Sequence, residues 1–387
     1  MDNILTVGKD CVGCRSCEQV CPHKCISMQE NKEGFLYPIV DDLRCTSCGL
    51  CRRKCPALGN IDRNRAPIEI YALKEKDKED VFYSASGGAS NVAAKVLLDE
   101  GGYVYGAAYD ENLKVSHIEV SDEQGRKKIQ SSKYVQSDIS NSFSLAKRRL
   151  EEGAPVLFTG TPCQIAGLHM FLGKPYTNLF TMDLICHGVP SPLLFKKYLA
   201  YQKKKLGEEI LSYNFRSKEK RGWGTQYLAK IEVKTKAMTR TLSIDKYGKH
   251  FMSGNCYREC CYQCKYANTN RCGDLTIGDF WGIEKCHPKF SSKLGVSVVL
   301  VNTDKGKELL KKMKKKSSLL KSSLDEAMIK QGNLVHPAGR PEVRNTFYDK
   351  IEEENYVESL RIGLQLKERI KIILPAKIVK ILKRYLK

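Results

Sequence analysis

Two runs of four cysteines fill the first part of the chain: Cys11, Cys14, Cys17 and Cys21 before Pro22, then Cys45, Cys48, Cys51 and Cys55 before Pro56. Both read C-x2-C-x2-C-x3-C-P. Four thiolates that converge on one cube of iron and sulfide need three ligands from a tight loop and a fourth from elsewhere. Zinc knuckles and a disulfide framework are the alternatives, yet neither requires two four-cysteine runs that each end in proline. The doubled run reads as an electron carrier.

The spacing matches that of a bacterial two-cluster ferredoxin, in which the fourth cysteine of each run serves the other cluster. By that rule Cys11, Cys14, Cys17 and Cys55 hold one [4Fe-4S] cluster, and Cys45, Cys48, Cys51 and Cys21 hold the second. With 387 residues the chain is too long for one such module, and two or three domains are expected. At 42% hydrophobic and 28% charged residues it has the composition of a globular protein with a core. The first residues, Met1–Leu5, lack a basic stretch followed by an apolar one, and no apolar run reaches the length of a membrane span. Seventeen cysteines without an export signal fit a reducing cytosol, where clustered thiols bind metal. A cytoplasmic protein is expected.

The reading of the chain is α+β: a small bacterial ferredoxin-type domain, a mixed α/β flavin-binding body and a basic helical C-terminal tail. The domains are placed at 1–60, 68–150, 151–310 and 311–387, with a polar linker at Asp62–Pro67 (DRNRAP). Strands are expected at Glu69–Leu73, Tyr103–Tyr109, Pro155–Phe158, Asn178–Cys186 and Val296–Val301. Helices are expected at Ala89–Leu98, at Asp138–Glu152 with Ser137 or Asp138 as N-cap, and at Ser191–Leu206. No GxGxxG follows a strand and no Walker A loop is present, so a Rossmann nicotinamide site is not supported.

A net charge of +21 calls for an anionic partner or surface. Within Leu364–Lys387, apolar residues such as Leu366, Ile370, Leu374, Ile378 and Ile381 recur near helical spacing, and lysines fall largely on the other side. Such a helix either docks on the protein's own core or lies on an anionic membrane, each basic residue adding roughly 1 kcal/mol near the surface. The second option would make the protein peripheral at the inner face of the cell membrane. Nucleic acid is not expected, because the basic stretch carries no reading motif.

Outside the first module, Cys25 and Cys286 read as incidental. Cys163 follows Thr161-Pro162 at a strand-to-helix turn, Cys186 ends a strand before His187-Gly188, and Cys261-x2-Cys264 is a compact ligand pair. Four thiolates from separate loops would hold a third [4Fe-4S] cluster. The first choice is Cys163, Cys186, Cys261 and Cys264, with Cys256, Cys260 and Cys272 as substitutes, and a zinc site within Cys256–Cys272 is the alternative. Clusters move single electrons whereas most metabolic reductions need two, so a flavin is the expected converter. Ser84–Gly88 (SASGG) before a helix would suit a pyrophosphate, although Ser and Gly also cap ordinary helices.

From Glu69 to about Val301 the chain resembles the coenzyme F(420) hydrogenase/dehydrogenase beta-subunit family. The landmarks are Ser86–Gly88, Ser132–Ser137 (SKYVQS), Gly160–Gln164 (GTPCQ), Cys186–Ser191 (CHGVPS), Cys261–Cys264 (CYQC) and Asp274–Gly282 (DLTIGDFWG). The resemblance implies FAD at the centre of the body, with Ser86, Gly87, Gly88, Lys133, Thr161 and Gln164 on the flavin side, and a further cluster beside it. Similar forms with a fused ferredoxin module and a basic tail are associated with bacterial surface-polysaccharide synthesis. The expected function is an iron–sulfur flavoprotein oxidoreductase that passes electrons from a redox partner, a ferredoxin or a reductase, through FAD to an unidentified small-molecule substrate. His187 is the candidate proton donor. The alternative is an electron-transfer subunit that serves a separate catalytic chain.

Overall fold

The computed structural model describes residues 3–59, 66–224, 228–241, 245–352, 356–359 and 361–362. The amphipathic stretch expected at Leu364–Lys387 lies outside the described residues.

The cysteine module consists of α1 (Ser16–Val20), the antiparallel hairpin β1 (Ile26–Glu30) and β2 (Leu36–Val40), and α2 (Leu50–Arg53). Each short helix carries the third cysteine of its run, so the two runs occupy equivalent places.

The body begins with β3 (Glu69–Glu75), α3 (Lys78–Tyr83), α4 (Ala89–Asp99), β4 (Tyr103–Tyr109) and β5 (Val115–Val120). Next come α5 (Glu123–Ile129), α6 (Ser142–Glu151), β6 (Val156–Gly160), α7 (Pro162–Leu172), β7 (Leu179–Leu184) and α8 (Pro192–Leu206). A three-stranded meander of β8 (Ser212–Ser217), β9 (Leu228–Glu232) and β10 (Ala237–Thr241) precedes α9 (Lys246–Met252). The chain then returns to the main sheet through β11 (Leu275–Asp279), α10 (Ile283–Cys286), β12 (Ser297–Val301), α11 (Asp304–Met313), β13 (Ser317–Ser322) and α12 (Leu324–Met328). It continues into α13 (Arg344–Glu352).

The main sheet has eight strands in the order β13-β3-β12-β11-β7-β6-β4-β5. Strands β4, β6, β7 and β11 are mutually parallel, and the flanking pairs are antiparallel. The parallel centre is apolar on both faces, as strands covered by helices on each side must be. Leu157 faces a core shared with α4 and α11, whereas its neighbours Val156 and Phe158 face a second core shared with α6 and α7. A third, aromatic core joins α8, α9, β8 and α13, and Phe35 from the cysteine module is buried in it.

Three differences from the sequence reading have physical causes. The boundary expected at residue 150 runs through one sheet, because β4 pairs with β6 across it. The region assigned to a helical tail from Lys311 starts instead with the end of α11 and the edge strand β13, which pairs with β3. Helix α6 starts at Ser142 rather than at Asp138, because the Asp138 backbone pairs with β5 and Ser140 is left-handed with φ 49°; the Asp138 carboxylate meets Arg15 of the cysteine module at 2.5 and 3.0 Å.

Gly87 is required for packing. A Cβ there would lie 2.3 Å from the Leu73 carbonyl oxygen and 2.4 Å from the Ser297 nitrogen, where the backbone crosses β3 and β12. No helix among the described residues is long and apolar enough to cross a membrane.

His117 on β5 is buried and stacks on Phe158. Its Nε2 lies 2.8 Å from the Thr159 carbonyl and its Nδ1 2.8 Å from Ser137 Oγ, so Nε2 carries the proton and Nδ1 accepts. Burial pulls its pKa down to about 4. Between that value and the ordinary one the unfolded chain binds the extra proton, so this contribution is complete above about pH 6.5 and is lost as pH falls toward 4. Replacing His117 with Gln should remove an acid destabilisation of roughly 3 kcal/mol. The check is the difference in unfolding free energy between the two proteins at pH 7 and pH 4.5.

Candidate functional site

Because β4, β6, β7 and β11 are parallel, their carboxyl ends share one edge of the sheet, the usual place for ligands in open α/β sheets. Strand β6 leads into Thr161 and Cys163 at the start of α7, β7 into Cys186 and His187, and β11 into Asp279 and Trp281. Cys260, Cys261 and Cys264 are brought to the same edge by a loop fastened from below. In that loop the Arg271 guanidinium meets the buried Asp183 of β7 at 2.9 Å, and the amides of Cys272 and Gly273 donate to the other Asp183 oxygen.

Burial raises the Cys163 thiol, and the neighbouring charges of Cys264, Cys260 and Cys186 raise it further. The Cys186 thiol is pushed up to about 12 by burial and by Cys264 and Cys260. Cys260 and Cys261 share a hydrogen bond that lowers the first and raises the second, and Cys186 acts on Cys261 as well. Five thiols therefore meet here, the four expected and Cys260. Thiols crowded out of water and against one another ionise only if a cation offsets the charge, which is what a thiolate-bound iron cluster supplies. Cys256 belongs elsewhere, fully buried in the aromatic core. Cys272 is buried beside Asp183 and Arg271.

In the cysteine module Cys55 groups with the first run and Cys21 with the second. Burial raises Cys14, and the charges of Cys17, Cys55 and Cys11 add to it; Cys17 likewise responds to Cys11 and Cys55. Cys21, Cys45, Cys48 and Cys51 line one small cavity, and Cys25 lines it too, with its Sγ 3.3 Å from that of Cys21. Cys25 is thus not incidental in position. Both sets fit a thiolate-held cube by donor type and number.

The first of these groups lies against the body. A Cβ on Gly167, one turn into α7 beyond Cys163, would be 2.9 Å from Cys14 Sγ. Tyr266 packs between the groups: its hydroxyl donates to the Pro56 carbonyl at 3.2 Å, and Cys163, Cys14 and Cys264 all act on its charge.

The remaining expected residues border the same edge in part. His187 is exposed there, and its pKa is lowered by the crowding around the ring and by Arg216, against an opposing pull from Asp279. Ser86 donates to the Val296 carbonyl at 2.9 Å and also supports Asp279. Thr161 and Gln164 cap α7 reciprocally, and Gln164 Nε2 reaches the Ser137 carbonyl at 3.2 Å. Gly88 is the left-handed N-cap of α4, beside Glu75. Lys133 lines a cavity of about 610 Å³, but its ammonium folds back onto the carbonyls of Lys128, Gln130 and Ser131, and burial brings its pKa down to about 7. Any fit to FAD therefore rests on the position of these residues around the edge, since their polar groups already have protein partners.

Sequence reasoning missed a polar knot at this edge. Asp279 accepts two bonds from Arg216, each 2.9 Å, and one from Trp223 Nε1 at 2.6 Å. Trp223 stacks on Trp281, with ring centres 4.7 Å apart and planes 3° from parallel. Asp279 and Trp281 fall in the Asp274–Gly282 landmark, but nothing in the sequence ties them to Arg216 and Trp223.

Residues 153–327 match the family model for the C-terminal part of the coenzyme F420 hydrogenase/dehydrogenase beta subunit, and residues 10–58 match the 4Fe-4S dicluster domain. The body thus carries the C-terminal domain of the F420 hydrogenase/dehydrogenase beta-subunit family over residues 153–327. In front of this beta-subunit body stands the dicluster domain. Among curated proteins, the chain is similar to NADH-quinone oxidoreductase subunit I 2 of Geobacter metallireducens, 44% identical over 78 residues, which is 19% of this chain and 56% of that protein. The chain thus spans about half the length of that relative. Among solved structures it is similar to a chain of the F420-reducing [NiFe] hydrogenase complex from Methanosarcina barkeri, at 16% identity and a TM-score of 0.47, over 78% of this chain and 93% of that one.

Because Gly167 has no side chain to hold Cys14 away, Gly167→Val should press on that thiol and lower bound iron by about one four-iron cluster. Gly339→Ala, where an added Cβ meets nothing within 4 Å, should leave iron unchanged. Iron per chain after anaerobic purification is the measurement.

Proposed function

We propose that this iron–sulfur chain carries electrons from two [4Fe-4S] clusters in its dicluster domain, through a third on the body, to a two-electron acceptor at the carboxyl edge of the sheet. The observation that carries the reading is the meeting of Cys163, Cys186, Cys264, Cys260 and Cys261 beside the group that contains Cys14. Three ligands of the third cluster are Cys163, Cys186 and Cys264. The fourth is Cys260 or Cys261, two neighbours that share a hydrogen bond at this edge.

FAD is the converter that the family resemblance supports, with Ser86, Gly87, Gly88, Lys133, Thr161 and Gln164 around it, and it would supply the exchange between one-electron and two-electron steps. The chain's own residues have separate tasks. The Arg216–Asp279–Trp223 knot fixes the floor of the edge, and His187, exposed beside it, is the candidate to exchange a proton with a bound acceptor, its lowered pKa favouring the neutral ring. Bacterial surface-polysaccharide synthesis is the setting supported by the resemblance in layout.

A second reading, an electron-transfer subunit for a separate catalytic chain, is favoured by the family's description as a beta subunit. Turnover of a small acceptor by the purified chain with a chemical reductant alone would support the enzyme, and turnover only after a second polypeptide is added would support the subunit.

Anaerobically purified protein should hold about twelve irons with matching sulfide, the content of three four-iron clusters. Cys163→Ser, Cys186→Ser and Cys264→Ser should each lower this to about eight, and Cys256→Ser should not. Cys260→Ser and Cys261→Ser identify the fourth ligand. About eight irons in the unaltered protein would remove the third cluster from the scheme.

A further inference from the structure

Arg258 is fully buried, with 0% exposure, at the junction between the dicluster domain and the body. Its Nε donates to the Cys11 carbonyl at 2.6 Å, its Nη2 to the Leu36 carbonyl at 2.8 Å, and its Nη1 to Gln136 Oε1 at 3.1 Å. Tyr37 and Phe35 lie under the guanidinium, with ring centres 4.2 and 5.4 Å away. All of these partners are neutral. Among the described residues no carboxylate comes within ion-pair distance of Arg258, although each of the other fully buried arginines, Arg126, Arg271 and Arg344, has one. A buried cation without a counter-charge is strongly disfavoured.

The sequence places the missing charge. On one side the guanidinium touches the backbone of Cys11, and a Cβ on Gly13 would lie 2.9 Å from its Nη1. On the other side Arg258 stands two residues before Cys260, and its carbonyl accepts from the Cys261 amide at 2.9 Å. Two thiolate-ligated cubes would thus flank one guanidinium. Each carries net negative charge, which grows when an electron is added.

We propose that Arg258 is the shared counter-charge of the clusters held by Cys11, Cys14, Cys17 and Cys55 and by the body cysteines, and that it sets both reduction potentials together. This rests on the ligand sets proposed above. A positive charge in a low-dielectric gap favours the more negative, reduced form of each neighbour and so raises both potentials. The cluster held by Cys45, Cys48, Cys51 and Cys21 serves as an internal control.

The test is an anaerobic redox titration followed by electron paramagnetic resonance. Arg258→Gln and Arg258→Met should shift two of the three signals to more negative potential and leave the third in place, with Arg258→Lys recovering most of the shift. Gln136→Glu, which keeps the arginine and sets a carboxylate against it, should shift the same two signals in the same direction, and this variant decides the matter if the neutral ones lose iron. Unchanged potentials in an iron-replete Gln136→Glu or neutral variant would overturn the inference, as would an equal shift in all three signals. Absence of iron from the unaltered protein would instead overturn the ligand sets.

A separate observation supports a second site. Cys286, at the end of α10, its neighbour His287 and Glu326 of α12 bring three ligand-type atoms within 4.8 Å of one another. Glu326 Oε2 accepts from the amide of Ser323 and the hydroxyl of Ser322 and lies 2.9 Å from His287 Nε2, so the carboxylate is held in place while Oε1 takes part in none of these bonds. We infer that this sulfur, nitrogen and oxygen set takes one divalent metal of the zinc class, which displaces the thiol proton, takes the place of the proton between His287 Nε2 and Glu326 as the imidazole proton moves to Nδ1, and staples α10 to α12. A modest contraction would bring the ligands to the roughly 3.3–3.8 Å separations of a tetrahedral zinc shell.

Iron-loaded protein given zinc chloride anaerobically and then desalted should retain one zinc per chain with its iron unchanged, and Cys286→Ser and His287→Gln should each reduce zinc to background. Background zinc in the unaltered protein would overturn the assignment. So would zinc that persists in iron-replete forms of both variants, since it would then reside on other thiols.

Discussion

Three arginines fasten the cysteine module to the body, and the geometry of the site depends on that fastening. Arg15 grips Asp138, Arg344 grips Glu33 with bonds of 2.8 and 2.7 Å, and Arg258 bridges backbone and side chain across the seam. Charge-assisted bonds of this kind are directional, so they set orientation as well as contact. Phe35, buried in the aromatic core, supplies the apolar part of the same joint. The joint, together with the Tyr266–Pro56 and Lys265–Ala57 contacts, is what lays Cys14 against Gly167.

The body supplies the complementary constraint. Parallel strands deliver their following loops to a common edge, so residues far apart in sequence meet there with little dependence on the loops themselves. Cys163 and Cys186 arrive by that route. Cys260, Cys261 and Cys264 do not follow strands and need the Arg271–Asp183 pair to hold their loop. That pair is almost wholly buried, a type of contact whose disruption costs about 3–5 kcal/mol when one partner is removed. Its position beneath the thiols couples stability of the loop to the grouping of Cys260, Cys261 and Cys264 at this edge.

Much of this was legible in the residues. The two cysteine runs carry their own ligand rule, and burial periodicity marked β4, β6, β7 and β12 closely. What could not be read were contacts between segments far apart in sequence. Asp138 looks like a helix cap, and only the pairing of its backbone with β5 shows why it is not. Lys311–Ser322 looks like a basic tail by composition, yet its apolar Leu319 and Leu320 face the two cores as β13 covers the exposed edge of β3. Cys260 and Cys261 are adjacent, and no spacing rule ranks them. Arg258 is one of 65 basic residues, distinguished only by what surrounds it.

The clamp between Glu33 and Arg344 joins residues separated by 311 positions. On the ribosome, where N-terminal domains fold first, the front module must emerge and wait for nearly the whole chain before its clasp exists. Throughout that interval the module can be joined to the body only through segments already made, such as Asp138 for Arg15. Chain connectivity thereby orders the clasps in time, Arg15 first, then Arg258, then Arg344.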